Sequence, residues 1–433
     1  MNEELFDFLE KSPTAYQAVD EITKRLEAAG FEKLHPTETW KVVPGGHYFV
    51  TQNGTAVIAF TAPEGKLRQF KAAASHSDSP AFKLKANPEM TDKTYVRLNV
   101  EKYGGMLIAP WFDRPLSIAG RVIVSEGDRL VSRLVNIEKD LLMIPSLCIH
   151  FDRTANEGHE FDIQKELLPI AGEAADTGLL KEIIAENAGV APDAVIASDL
   201  FVVNRDKPTA WGLKNEFIAS PRLDDLECTY ADLIGYLEAD GPADHTMNVY
   251  SVFDNEEVGS RSRQGADSTF FRDTLERAAF SLGLSGEEFR AVIFRSFVLS
   301  ADNAHAVHPA HTDKYDPVNQ PEMNGGPVIK YNAAQKYTTD AISAAVFKTL
   351  CKKAGVPCQE FTNNSDIAGG STLGNLLNST FPAPTVDIGL AQLAMHSPYE
   401  SAGTKDPEYL IRAVKCFYET ELVVEGEEIR LVG

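Results

Sequence analysis

Residues 224–260 read DDLECTYADLIGYLEADGPADHTMNVYSVFDNEEVGS, and their pattern decides the fold. Leu226, Tyr230, Leu233, Ile234 and Leu237 recur at the spacing of one helix face. MNVYSVF (247–253) then reads as a short buried strand that ends in the polar cluster DNEEVGS. The same alternation continues downstream. SFVLSAD (296–302) is a strand with Asp302 at its end, and YTTDAISAAVFKTLCKKAG (337–355) is a helix ending at Gly355. TVDIGLAQLAMH (385–396) reads as one last strand running into His396. Strands alternating with helices predict an α/β fold, a sandwich around a largely parallel sheet. In such sheets ligands gather beyond the carboxyl ends of strands, and three polar clusters here follow apolar, strand-like runs.

The N-terminal side fits the same domain. Ser12 reads as a helix cap with Pro13 in the first turn, and Ala15, Val19, Ile22, Leu26 and Ala29 follow at helical spacing until Gly30. HYFVTQNGTAVIAF (47–60) is a hairpin signal, because Asn53 and Gly54 both tolerate positive φ. KAAASHSDSPAFKLK (71–85) sets an unusual polar cluster in a strand-like frame. The texture then changes. TYVRLNVEKYGGMLIAP (94–110) and SIAGRVIV (117–124) alternate like antiparallel strands, with one helical patch at GLLKEIIAENAG (178–189). This predicts an inserted β-rich domain, 88–214, interrupting a catalytic domain made of 1–87 and 215–433.

Composition removes several classes of function. The chain has 433 residues, enough for two to three domains at about 150 residues each. With 41 basic and 63 acidic residues the net charge is −22, a surface that repels phosphate backbones and anionic membranes. No run approaches the roughly 18 apolar residues of a membrane span. The N-terminus, MNEELFDFLEKSPTAYQ, lacks the basic and apolar regions of a secretory signal. The cysteines, Cys148, Cys228, Cys351, Cys358 and Cys416, are scattered without a CxxC pair, which predicts a cytoplasmic protein without a disulfide framework. GxSxG, Walker, GxGxxG and HExxH motifs are absent. His305, His308 and His311 are spaced evenly by three, which matches no zinc ligand pattern.

What remains is a dispersed set of oxygen and imidazole donors: His76, Asp78, Asp224, Glu256, Glu257, Asp302 and His396. Such donors suit zinc, manganese or cobalt. A two-metal hydrolase needs a bridging carboxylate, terminal ligands and a base that is not a ligand. Adjacent Glu256 and Glu257 can divide the last two duties if their side chains diverge. A lone Glu-Glu pair is otherwise a solvated turn, so spacing alone leaves both readings open.

Eight segments in order resemble the aspartyl aminopeptidase family of co-catalytic metallopeptidases: ASHSDSPAFKLK, YGGMLIAPWFDRPLSIAGRV, SPRLDDL, DNEEVGS, SADNAHAVHP, GPVIKYN, SDIAGGSTLG and AQLAMHSPYE. The resemblance implies a three-layer α/β/α metallopeptidase domain with an inserted β-rich interface domain. It implies two divalent ions per subunit, zinc first, with manganese or cobalt also fitting. His76 and Asp302 would complete one site and Glu257 and His396 the other, with Asp224 bridging. Asp78 would hydrogen-bond His76, Glu256 would be the general base, and Asp225 would start the helix. His150 would reach a neighbouring subunit's site, while His305, Lys330 and Tyr337 would line the substrate pocket, with Lys330 facing an acidic P1 side chain. The expected activity is removal of N-terminal residues from peptides, acidic ones foremost, by dimers assembled into a dodecamer.

Three departures bear on specificity. Asn364 stands where an arginine is expected, Gly369 where a cysteine is expected, and SLCIH differs from the usual HLAIH. None touches a metal ligand, and the missing arginine is expected to widen the range toward neutral residues. Two rivals keep the same residues. A deacylase or carboxypeptidase of related fold would not need a free N-terminus. A silent peptide-binding assembly would have no use for a non-ligand base such as Glu256.

Overall fold

Nine strands form the central sheet of the computed structural model, which describes residues 2–241, 244–425 and 428–432. Their order is Glu32–Lys33, His47–Gln52, Ala56–Thr61, Thr246–Phe253, Gln69–His76, Phe297–Ala301, Thr385–Gly389, Val328–Tyr331 and Gln359–Thr362. The run from Thr246–Phe253 to Thr385–Gly389 is parallel. These strands are apolar on both sides because helices cover both faces. Ala73, Tyr250 and Leu299 join one core with the helices Asn2–Lys11, Ala15–Ala28, Leu223–Leu237, Ala341–Ala354 and Asp406–Glu419. Ala72, Val249 and Val298 join the other with Phe270–Ser281, Gly286–Ile293 and Leu373–Thr380. The result is the three-layer α/β/α arrangement. The hairpin at Asn53 and Gly54 forms as read, with φ of 58° and 74°.

The N-terminus departs from the sequence reading. Thr14, not Ser12, caps the helix Ala15–Ala28, accepting from the Tyr16 N–H at 3.3 Å, so Pro13 lies outside it. A separate helix, Asn2–Lys11, precedes it and buries Leu5, Phe8 and Leu9. The C-terminal strand also divides. Thr385–Gly389 stays in the central sheet, while Ala391–Leu393 enters a five-stranded sheet with Thr209–Trp211, Phe217–Ser220, Glu400–Gly403 and Ala304–His305. The crossing falls at Gly389, where a Cβ would lie 1.9 Å from the Asp302 carbonyl oxygen.

A six-stranded antiparallel sheet with its own core is built from Arg129–Asn136, Leu116–Glu126, Val195–Asn204, Ala81–Thr91, Tyr95–Tyr103 and Ile170–Glu173. It begins at Ala81, before residue 88, because the strand after the SHSDS cluster already belongs to it. It ends at Asn204, and Thr209–Trp211 pairs with Phe217–Ser220 in the five-stranded sheet.

Candidate metal centre

Strand ends position half of the candidate site. His76 is the last residue of Gln69–His76, and its register partner on the adjacent parallel strand is Phe253. The chain leaves Phe253 through Asp254 and Asn255 into a short turn of 3-10 helix, Glu256–Val258. Asp302 follows Phe297–Ala301 directly. The five-stranded sheet supplies the remainder. Asp224 lies four residues after Ser220, and His396 sits between Ala391–Leu393 and Glu400–Gly403.

These elements bring six of the expected residues together. Asp224 Oδ1 lies 3.4 Å from His76 Nε2, and its Oδ2 lies 3.5 Å from His396 Nε2. Glu257 Oε2 is 3.3 Å from the same His396 nitrogen. Donor atoms of His76, Asp224, Asp225 and Asp302 lie within 4.8 Å of one another, as do those of Asp224, Glu257 and His396, and those of His76, Glu256 and Glu257. His305, His308 and His311 do not join them. His305 packs against Phe361, and the other two rings pack against each other, tilted, with centroids 5.0 Å apart.

Asp78 makes two kinds of contact. The His76 Nδ1–H donates at 3.0 Å to the backbone carbonyl of Asp78, and the Asp78 carboxylate is farther, at 3.4 Å. Either contact fixes the tautomer that leaves Nε2 free. The carboxylate instead accepts the N–H groups of Glu256 at 3.1 Å and Glu257 at 3.2 Å, pinning the acidic turn. Asp225 lies with Asp224 at a non-helical break in the first turn of Leu223–Leu237, and its Oδ2 accepts the His76 N–H at 3.1 Å. Sequence reasoning missed Glu400, which is buried and accepts the N–H of Asp224 at 3.0 Å and of His396 at 2.7 Å. Its only sequence signal was its place in MHSPYE, four residues after His396.

The electrostatics describe a site short of positive charge. Burial, then the Asp302 charge, pushes the Glu256 carboxyl up to about 8. Burial and Asp224 raise Glu257 well above the usual range, and burial also raises Asp302, with Lys330 opposing. Burial would lower His76, yet Asp225, Asp224 and Asp78 outweigh it and hold its pKa high. Burial would raise Asp224, but His396 and His76 hold it below the usual carboxylate range. So many buried acids cannot all ionise without added cations. The Oδ1 atoms of Asp224 and Asp225 and Oε1 of Glu257 are buried without hydrogen-bond partners. Imidazole and carboxylate donors with orphaned buried oxygens fit zinc or a similar divalent ion.

The substrate residues divide. Lys330 is buried and donates to the carbonyls of Asp302 at 2.6 Å and Asn303 at 3.4 Å, with its ammonium 3.8 Å from the Asp302 carboxylate and over the Tyr337 ring. His305 reaches solvent, and surrounding protein together with Lys330 lowers its pKa. His150 stands on an exposed turn of the six-stranded domain, among exposed Leu147, Ile149 and Phe151. Asn364 donates to the Asp313 carbonyl at 3.1 Å, and a Cβ at Gly369 would come within 2.6 Å of Asn363 Oδ1.

Comparison with known proteins gives the family. Residues 8–418 match the family model for aminopeptidase I zinc metalloproteases. The chain belongs to the M18 family. An M18 family aminopeptidase 2, so named as probable, from Clostridium novyi is 44% identical, covering 96% of this chain and 98% of the relative. One from Pseudomonas aeruginosa is 41% identical over 96% and 98%. Among solved structures, that of the Ape4 and Nbr1 complex aligns with a TM-score of 0.93 at 35% identity, covering 96% of this chain and 85% of that one. The S. cerevisiae mApe1 dodecamer aligns with a TM-score of 0.85 at 27% identity, covering 96% of each. This M18 chain is thus a metallo-aminopeptidase with an α/β fold, a hydrolase of peptide bonds. Among the described residues no helix is long and apolar enough to cross a membrane.

Proposed function

We propose that this M18 aminopeptidase works with two divalent ions, zinc first, shared by Asp224. The observation that carries the reading is the orientation of that carboxylate, with one oxygen toward His76 and the other toward His396. Asp302 completes the His76 side and Glu257 the His396 side. Bound there, the ions would supply Lewis acidity toward the scissile carbonyl and make a nearby water more acidic. Glu256 faces the cluster without a duty as a ligand. It takes the proton of the attacking water and returns it to the leaving amine. The substrate's free α-ammonium group meets the acidic surplus of the site, which favours cleavage at N-termini.

Substrate selection follows from the pocket. Lys330 is the cation beside Tyr337 and His305, and an acidic P1 side chain would meet it there. Asn364, where an arginine is expected, carries no charge, so neutral residues would be accepted as well. A panel of free dipeptides with Asp, Glu, Leu, Ala or Lys at P1 tests this. Release of Asp and Glu above the others supports the Lys330 assignment, and preference for Lys contradicts it.

The six-stranded domain is our candidate interface. Exposed Leu147, Ile149 and Phe151 give it an uncovered apolar patch beside His150. Dimers joined there would carry His150 toward the partner's site, and such dimers would build a dodecamer like that of S. cerevisiae mApe1. The cysteines are free thiols, which suits the cytoplasm. Mass measurement of the protein in solution, with Phe151→Asp as comparison, tests the interface. An assembly unchanged by that substitution would move the interface elsewhere.

A further inference from the structure

The six-stranded domain does more than present an outer surface. Its strand Tyr95–Tyr103 ends against the candidate metal centre of the same chain. The Tyr103 hydroxyl donates to Asp78 Oδ2 at 2.6 Å and accepts from the Asn255 amide at 2.8 Å. Gln264 in turn donates to the Asn255 side-chain oxygen at 3.0 Å. Gly104 has a φ of 77°, and a Cβ there would lie 3.2 Å from the Glu257 Cβ. Leu107 N–H donates to the His396 carbonyl at 3.1 Å. Residues 103–107 thus touch the turn of Glu256 and Glu257 and the backbone of His396.

Asp78 is the hub of these contacts. One carboxylate holds the N–H groups of both glutamates, stands 3.4 Å from His76 Nδ1, and accepts the Tyr103 hydroxyl. The Tyr103 ring is fixed from the other side by Phe201 of the inserted sheet, edge-on at 5.6 Å. Burial and the charges of Asp78 and Asp254 keep the phenol protonated, so it remains a donor.

We propose that Tyr103 is a positioning residue through which the inserted domain orients Asp78, and through Asp78 the metal-binding turn at Glu256 and Glu257. The proposal rests on the two-ion reading above. Outer-shell partners of metal ligands typically change affinity or activity by about 10–100-fold when removed.

Three variants test it: Tyr103→Phe, which removes the hydroxyl and keeps the ring; Phe82→Leu, which loosens the inserted domain's own core; and Asp78→Asn. Zinc affinity is read by competition with a chromophoric chelator, beside kcat, KM and melting temperature. Tyr103→Phe is expected to weaken zinc binding about 10-fold or more, and to lower kcat with KM little changed. Phe82→Leu is expected to lower the melting temperature and leave zinc affinity in place. Tyr103→Phe added to Asp78→Asn is expected to cost little more than Asp78→Asn alone, because both act through one carboxylate. A Tyr103→Phe protein with wild-type affinity and kcat overturns the proposal. So does equal loss of affinity in Phe82→Leu, or full additivity with Asp78→Asn. If the wild type released no N-terminal residue, the two-ion aminopeptidase reading would fail, while the affinity comparison would still decide the role of Tyr103.

Discussion

His76 and Phe253 are register partners on neighbouring parallel strands. That pairing places the chain just past Phe253 beside the imidazole of His76, and Glu256 and Glu257 therefore arrive at the same end of the sheet. The pairing explains why two motifs about 180 residues apart lie in one cluster.

In the proposed mechanism Glu256 is the base and not a metal ligand. Glu256→Gln is therefore expected to retain fold and bound metal and to lose about 10²–10⁴-fold in kcat. Circular dichroism and metal analysis, beside steady-state kinetics, check this. Unchanged turnover would remove Glu256 from the mechanism.

Asp224 and His396 should differ in metal stoichiometry. His396→Ala removes a donor from one side of Asp224 only, and is expected to retain one ion per chain after desalting. Asp224→Ala removes the carboxylate that the two-ion reading places between both ions, and is expected to retain neither. Elemental analysis of the purified variants distinguishes the two outcomes.

Asp232 lies fully buried in the helix Leu223–Leu237, and neither carboxylate oxygen has a hydrogen-bond partner. Burial raises its pKa well above the usual range. The titratable groups facing it are Cys228 on its own helix, Tyr250 on the central sheet and Tyr418 on the C-terminal helix. As pH rises past about 4, the unfolded chain ionises this group first. Folding then loses about 1.4 kcal/mol per pH unit until the folded carboxyl ionises too. Asp232→Leu is expected to raise stability by about 1–3 kcal/mol at neutral pH, and to remove that slope. Denaturant titrations of both proteins at pH 5, 7 and 9 measure the difference, and identical pH slopes would contradict it.

Lys71 is buried in the central strand Gln69–His76 and donates to the carbonyls of Phe417 at 3.0 Å, Tyr418 at 2.5 Å and Thr420 at 2.9 Å. It satisfies the end of the C-terminal helix Asp406–Glu419 from the sheet below. Lys71→Met keeps the stem and strands those carbonyls, with an expected loss of about 2–4 kcal/mol. Thermal unfolding of the metal-free protein checks this without interference from the site.

Much of the architecture was readable because local pattern and global fold agree. The helix Leu223–Leu237, the strand Thr246–Phe253 and the hairpin at Asn53 and Gly54 each carry their own periodicity or turn chemistry. The SHSDS, DNEEVGS and SAD clusters stood out because polar residues end otherwise apolar strands. Other features depend on contacts that a sequence does not display. The division of 385–396 between two sheets follows from the close passage of Gly389 over Asp302. The early start of the six-stranded sheet is hidden because no linker separates SHSDSP from AFKLK. Glu400, Asp225 and Tyr103 make their contacts to backbone N–H groups or to another side chain. Nothing in their spacing marks such a role. Thr14 replaced Ser12 as cap because two short helices, not one, open the chain.

The most direct test compares one peptide with a free N-terminus and the same peptide acetylated, each with the metal-loaded enzyme, with chelator, and after zinc is restored. The two-ion aminopeptidase account predicts release of the N-terminal residue from the free peptide only, its loss on chelation and its return with zinc. Equal cleavage of the acetylated peptide, or full activity in the chelated protein, would contradict it.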